Sequence, residues 1–193
     1  MGTERDFSLT ARDGLLVSKL KPWATLRNAV IALVLLGLNG FLLGRLDQPL
    51  MELAGGEPKL DLRFGYDLTT VQGLLDAYGV EGRSIYVWNL AVDTPFPILG
   101  AITAILFALV AFSDPFWQKL LILPPLAFGV TDLIENALLF SIVQGYPSLP
   151  PTLIAVTSVV TQVKRAAYYT SALELILSIL IIAVMQMRRQ QHS

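Results

Sequence analysis

The sequence predicts an all-α polytopic membrane protein: a four-transmembrane-helix bundle with an external amphipathic helical segment. Three observations carry that prediction. Apolar residues make up 54% of the chain and charged residues 15%, at a mean hydropathy of +0.60. A soluble domain of 193 residues has too little interior to hide so much apolar surface. The apolar residues also fall in runs of roughly 20 rather than in amphipathic alternation, the pattern of a chain with a bilayer as solvent.

Residues 1–25 are polar and mixed in charge, and the first apolar run starts near Asn28. They read as a cytoplasmic tail and not as a cleaved signal peptide. The first span is expected at 26–46. Within it Gly40 and Gly44 form a small-xxx-small spacing, which lets a helix approach closely, within the bundle or across a dimer. The external segment, 47–90, opens with turn formers (Asp47, Pro49, Gly55, Gly56, Pro58). Asp67 is placed to cap a short helix from Leu68 to Tyr78, ended by Gly79. Leu68, Val71, Leu74, Leu75 and Tyr78 share one face of that helix, which suits the membrane surface or the top of the bundle.

The second span is expected at 91–112, continuing a helix begun near Gly82, with Pro95 and Pro97 predicting a kink or a broken first turn. The third is expected at 120–143, after a short polar link. A proline-rich turn, Gly145 to Pro151, leads to a last helix from about Thr152 to Met187. That is longer than one crossing needs, so the fourth span is placed at 166–187 and residues 188–193 form a C-terminal tail. Trp88 and Trp117 read as interfacial belt residues. Arg12, Lys19, Lys21 and Arg27 precede the first span, Lys119 lies in the short link, and Arg188 and Arg189 follow the last span. The positive-inside rule then puts both termini in the cytoplasm and 47–90 outside.

Several chemistries are excluded. There is no cysteine, which removes disulfides, thiolate nucleophiles and iron–sulfur clusters. The one histidine is His192, so histidine-ligated haem and intramembrane histidine catalysis go with it. No cofactor and no metal are expected. The net charge of −1 and the scattered basic residues give no footprint for nucleic acid.

What remains is carried by charges inside the spans, which are costly in a bilayer and by default suggest function. Asp132, Glu135 and Asn136 share one face of the third span. Lys164, Tyr168, Ser171 and Glu174 follow the same spacing on the last helix, and Asp93 stands beside the prolines of the second. At a rise of about 1.5 Å per residue these groups converge on the outer half of one bundle, under the external segment. The expected ligand-binding set is Arg83, Asp93, Asp132, Glu135, Asn136, Lys164, Tyr168 and Glu174. The same charges can instead pair with one another and hold helices in register. Tyr168 can equally be a belt residue, and Lys164 can snorkel to the interface.

Tyr66, the Gly79-Val80-Glu81-Gly82-Arg83 run with Tyr86, Asp93 with Phe96-Pro97, Asp132 through Asn136, and Lys164 resemble the pattern of an uncharacterised family of bacterial four-span membrane proteins. The resemblance covers most of residues 60–175. It implies a bacterial inner membrane location and a place for Arg83 over the cavity, paired with one of its carboxylates. Asp93 with Phe96-Pro97 is also similar to the EXPERA group of sterol-isomerase and sigma-2-receptor-like proteins. That likeness implies an apolar ligand pocket; the isomerases' catalytic histidine has no counterpart here.

Four functions fit these readings. The first is an outward-facing acidic cavity that binds a membrane lipid or a small amphipathic ligand. The second is a lipid-modifying enzyme with Glu135 as general acid and Lys164 as its partner. The third is an ion-coupled transporter, for which four helices without an internal repeat are few unless the protein forms a homo-oligomer. The fourth is an accessory subunit whose charges contact a partner in a membrane complex.

Overall fold

The computed structural model describes residues 14–191, and among these every regular element is helical. Arg12 and His192 lie outside the described residues. A short helix, α1 (Leu15–Leu20), and a 3₁₀ turn lead to α2 (Leu26–Leu53), which Thr25 caps by accepting from the Asn28 backbone N–H. A connection with one 3₁₀ turn (Leu60–Leu62) follows, then α3 (Leu68–Asp93) and α4 (Pro95–Ala111). Helix α5 (Pro115–Leu121) is short; α6 (Leu123–Gly145) and α7 (Pro151–Gln191) complete the chain. Among the described residues four helical stretches are long and apolar enough to cross a membrane: Leu26–Leu53, Leu68–Ala111, Pro115–Gly145 and Pro151–Gln191. The chain is a multi-pass four-helix membrane bundle.

Helix α4 is the centre, packed by α2, α6 and α7. Helices α2 and α7 flank it without an extended contact between them. At one end of the bundle Ala29 and Ala32 of α2 meet Leu106 and Phe107 of α4 and Ile182 of α7. At the other end Leu50, Leu60, Val71, Leu75 and Tyr78 pack on Leu139 and Ile142 of α6 and Ile154 of α7. The apolar face expected on residues 68–78 is therefore a cap over the bundle.

Two boundaries and one packing expectation differ from the sequence reading. Helix α2 runs through Pro49 to Leu53, because a proline in the last turn loses one hydrogen bond while Leu50 is fully buried in the cap. Gly79 breaks the helix as expected, with φ 59° and ψ −166°, but the chain resumes its helix at once. Tyr78 and Tyr86 pack edge to face across that break, with ring centroids 5.8 Å apart. Gly37 and Gly44 do not serve close packing within the chain: a Cβ at either would meet nothing within 4 Å, and one at Gly40 would meet only Phe96, at 3.5 Å.

Aromatic side chains mark two levels. Trp23, Phe116 and Trp117 are exposed at the end where α2 begins and α4 stops. Trp88 is exposed on α3, 23 residues before Ala111, or about 35 Å along the helical rod. That separation is close to the thickness of a bilayer's apolar core, about 30 Å, and such residues favour its boundaries.

Candidate functional site

Helices α6 and α7 pack antiparallel, and three rungs fix their register. Glu135 accepts from Thr161 Oγ1 at 2.5 Å, Asp132 Oδ1 lies 3.1 Å from Lys164 Nζ, and the rings of Phe128 and Tyr168 are 5.3 Å apart. Lys164 Nζ also reaches Glu135 Oε2 at 2.5 Å and donates to the Asp61 carbonyl at 3.2 Å. One ammonium thus binds two buried carboxylates and the connection above them. Asp93, at the end of α3, accepts from Asn136 Nδ2 at 2.8 Å and forms no ion pair among the described residues.

A second cluster sits directly beside the first. Lys59 Nζ lies 3.0 Å from both Asp47 and Asp61 and donates to Asn89 Oδ1 at 2.7 Å. Asn89 Nδ2 in turn donates to Asp47 at 2.8 Å, and the Tyr86 hydroxyl donates to Asp61 at 3.2 Å. Burial alone would push the Lys59 ammonium toward neutrality, but Asp61, Asp47 and Asp93 around it hold its pKa above the ordinary value. Burial likewise works to raise the Asp61 carboxyl, and Lys59 and Lys164 overcome it, leaving the group below the usual carboxylate range. Both groups belong to the connection between α2 and α3, which is stitched to α7. The Tyr66 backbone N–H donates to Ser158 Oγ at 3.0 Å, and Arg165 Nη2 donates to the Leu62 carbonyl at 2.5 Å.

The two clusters wall a cavity of about 310 Å³. Its sides are α2 (Gly40, Leu43, Gly44, Asp47) and α7 (Lys164, Arg165, Tyr168, Tyr169). Its back is Asp93 and Phe96 with Phe128 and Asp132, and its roof is Lys59, Asp61 and Leu62. Four carboxylates and three cations line it, and both lysines are already committed to carboxylates. Because α2 and α7 do not close on each other, the cavity lies in the lateral gap between them.

Of the residues expected at the site, Asp93, Asp132, Lys164 and Tyr168 line this cavity. Glu135 and Asn136 stand behind it and bond to groups that do. Glu174 is not among the lining residues; it is buried lower on α7 with neither carboxylate oxygen bonded. Arg83 does not cap the cavity. Its Nη1 donates to the Leu75 carbonyl at 3.0 Å, and its guanidinium stacks 4.7 Å from the Tyr146 ring centroid. These contacts engage Arg83 with its own helix and with the end of α6, away from the cavity lining. Lys59, Asp61, Asp47, Asn89 and Thr161 are site residues that the sequence reading missed. Only Asn89, one helical turn before Asp93, carried a signal. Among the described residues no group of three or more acids is disposed to hold a metal ion.

No protein-family model, curated protein or solved structure matches this chain.

Proposed function

We propose that the protein binds a lipid or a small amphipathic ligand in the lateral cavity, with the ligand's polar head inside and its apolar part toward the bilayer. The observation that carries this reading is the unbalanced charge of the cavity. Lys59 and Lys164 are engaged by four other carboxylates, and Asp93 faces the cavity with an amide as its one bonded partner among the described residues. A buried carboxylate in that state favours an incoming cation or hydrogen-bond donor. Leu43, Phe96 and Phe128 supply apolar wall beside it.

The cation-rich end of the bundle, with Lys19, Lys21, Arg27, Lys119, Arg188 and Arg189, faces the cytoplasm in this proposal. The cavity then opens in the outer half of a bacterial inner membrane, as the family resemblance implies. A lipid-modifying reaction at Glu135 gains less support, because Lys164 and Thr161 already occupy that carboxylate.

Native mass spectrometry of the protein released from mild detergent tests the reading. A single amphiphile should accompany the wild type and be lost in Asp93→Asn, which keeps the Asn136 hydrogen bond. Gly44→Phe, which fills the cavity without altering a charge, should also lose it. Retention of the same mass in both variants would sink the proposal and leave the charges as a helix-to-helix lock. Co-purification with other polypeptides at fixed stoichiometry, without an amphiphile, would make the protein an accessory subunit.

A further inference from the structure

The order of charges across the cavity says more about the ligand's head. At the inner wall Asp132 and Asp93 are 3% and 8% exposed. At the mouth Arg165 is half-buried, and one of its nitrogens is bonded, to the Leu62 carbonyl. A guanidinium has five N–H donors in a fork that suits phosphate oxygens, so most of its donors remain for an anion. Tyr168 and Tyr169, which also line the cavity, are exposed beside it. Lys59 and Lys164 also line the cavity, as buried as Asp93, but both are bound to carboxylates, so the charges left to meet a ligand are Asp93 in the interior and the more exposed Arg165.

Size and depth narrow the class. A volume of about 310 Å³ is at the low end of ligand pockets, which run from roughly 300 to 1,000 Å³. It fits a head group and leaves an acyl chain outside. Asp93 stands 18 residues before Ala111, about 27 Å along the rod, and Trp88 stands about 8 Å beyond it at the expected edge of the apolar core. The inner end of the cavity therefore lies within about 8 Å of the level where lipid head groups begin. Gly44, which lines the cavity, leaves the α2 side of the gap open for a chain, since a Cβ there meets nothing within 4 Å.

Resting on the amphiphile-binding reading above, we infer that the ligand carries an ammonium–phosphate head of the ethanolamine type. It enters from the bilayer between α2 and α7, with its ammonium on Asp93 and its phosphate on Arg165. A primary ammonium donates hydrogen bonds to Asp93, and the phosphate follows at the mouth.

The test compares four probes on the wild-type protein in a non-ionic detergent, with binding read by native mass spectrometry and thermal shift. They are lysophosphatidylethanolamine, tetradecylamine, lysophosphatidic acid and chain-free phosphoethanolamine. The zwitterionic lysolipid should bind at least tenfold more tightly than the amine or the phosphate alone, and more tightly than the chain-free head. Arg165→Gln should reduce its affinity to that of the amine, and Arg165→Lys should restore part of the loss. Asp93→Asn should reduce it to that of lysophosphatidic acid. If tetradecylamine matches the lysolipid in the wild type, the zwitterion is overturned while amphiphile binding stands. If phosphoethanolamine matches it, the source is a free solute and lateral entry is overturned. If no probe binds, both the inference and the function it rests on fail.

Discussion

Replacing Lys164 with methionine keeps most of the side chain's volume and removes its charge. Two carboxylates that are 3% and 0% exposed, Asp132 and Glu135, then lose the ammonium that lies 3.1 Å and 2.5 Å from them. Removing one partner of a buried ion pair costs about 3–5 kcal/mol, because the remaining charge stays desolvated. For a chain of this length that corresponds to a fall in melting midpoint of roughly 6–20 °C. The Asp61 carbonyl also loses a donor, so the connection should loosen from α7. The assay is thermal unfolding in detergent followed by intrinsic fluorescence, with a companion triple variant: Lys164→Met, Asp132→Asn and Glu135→Gln. The triple variant has no charge left to desolvate, and an amide at 135 can still accept from Thr161. It should recover most of the loss, giving a coupling energy of opposite sign to the single change. A Lys164→Met protein that melts within about 2 °C of the wild type would refute the argument, since at that slope the buried pair would be worth under about 1 kcal/mol.

The remaining predictions concern other parts of the fold. Asp61, held below the usual carboxylate range, contributes stability above pH ~4 that is lost as pH falls through its folded value. Lys59, held above its ordinary value, contributes stability below pH ~10.4 that is lost as pH rises through its folded value. The difference in midpoint between wild type and Asp61→Asn should therefore be flat from pH ~5 to ~9 and shrink in acid; growth of that difference on acidification would contradict the assignment. Glu174→Met should raise the midpoint by the equivalent of about 1–3 kcal/mol, because it removes a buried carboxyl with neither oxygen bonded; a lower midpoint would refute the absence of a partner. Gly79→Ala should cost about 1–3 kcal/mol, since φ 59° with ψ −166° is a region that only glycine enters freely. Unchanged melting there would mean the break relaxes into continuous helix.

The legible parts of the fold were those set by solvent. Long apolar runs require a bilayer, and a charged or amide side chain inside such a run is conspicuous because it is rare there. Asp93, Asp132, Asn136 and Lys164 stood out for that reason. Lys59, Asp61 and Asp47 did not, because a charge in a polar connection looks the same whether water or protein surrounds it. What buries them is tertiary: Leu60 enters the cap cluster and carries its two charged neighbours inward. Arg83 shows the opposite failure. Its position in the chain suggested the cavity, but the Leu75 carbonyl and the Tyr146 ring engage it instead.

The two lysines divide the charges by side. Behind Lys164, Glu135 and Thr161 bond within the α6–α7 seam and have no access to the cavity. In front, Asp132 and Asp93 line it, with Asp47 and Asp61 arriving through Lys59. The structural and ligand-binding readings of these charges therefore apply to different members of one network. Glu135→Gln should act on stability and leave probe affinity intact, whereas Asp93→Asn should act on affinity with a smaller effect on stability. Measuring both quantities for both variants separates the readings, because a purely structural network would move affinity and stability together. A single ligand site made of all these residues would make Glu135→Gln lose affinity as fully as Asp93→Asn, and that result would refute the division.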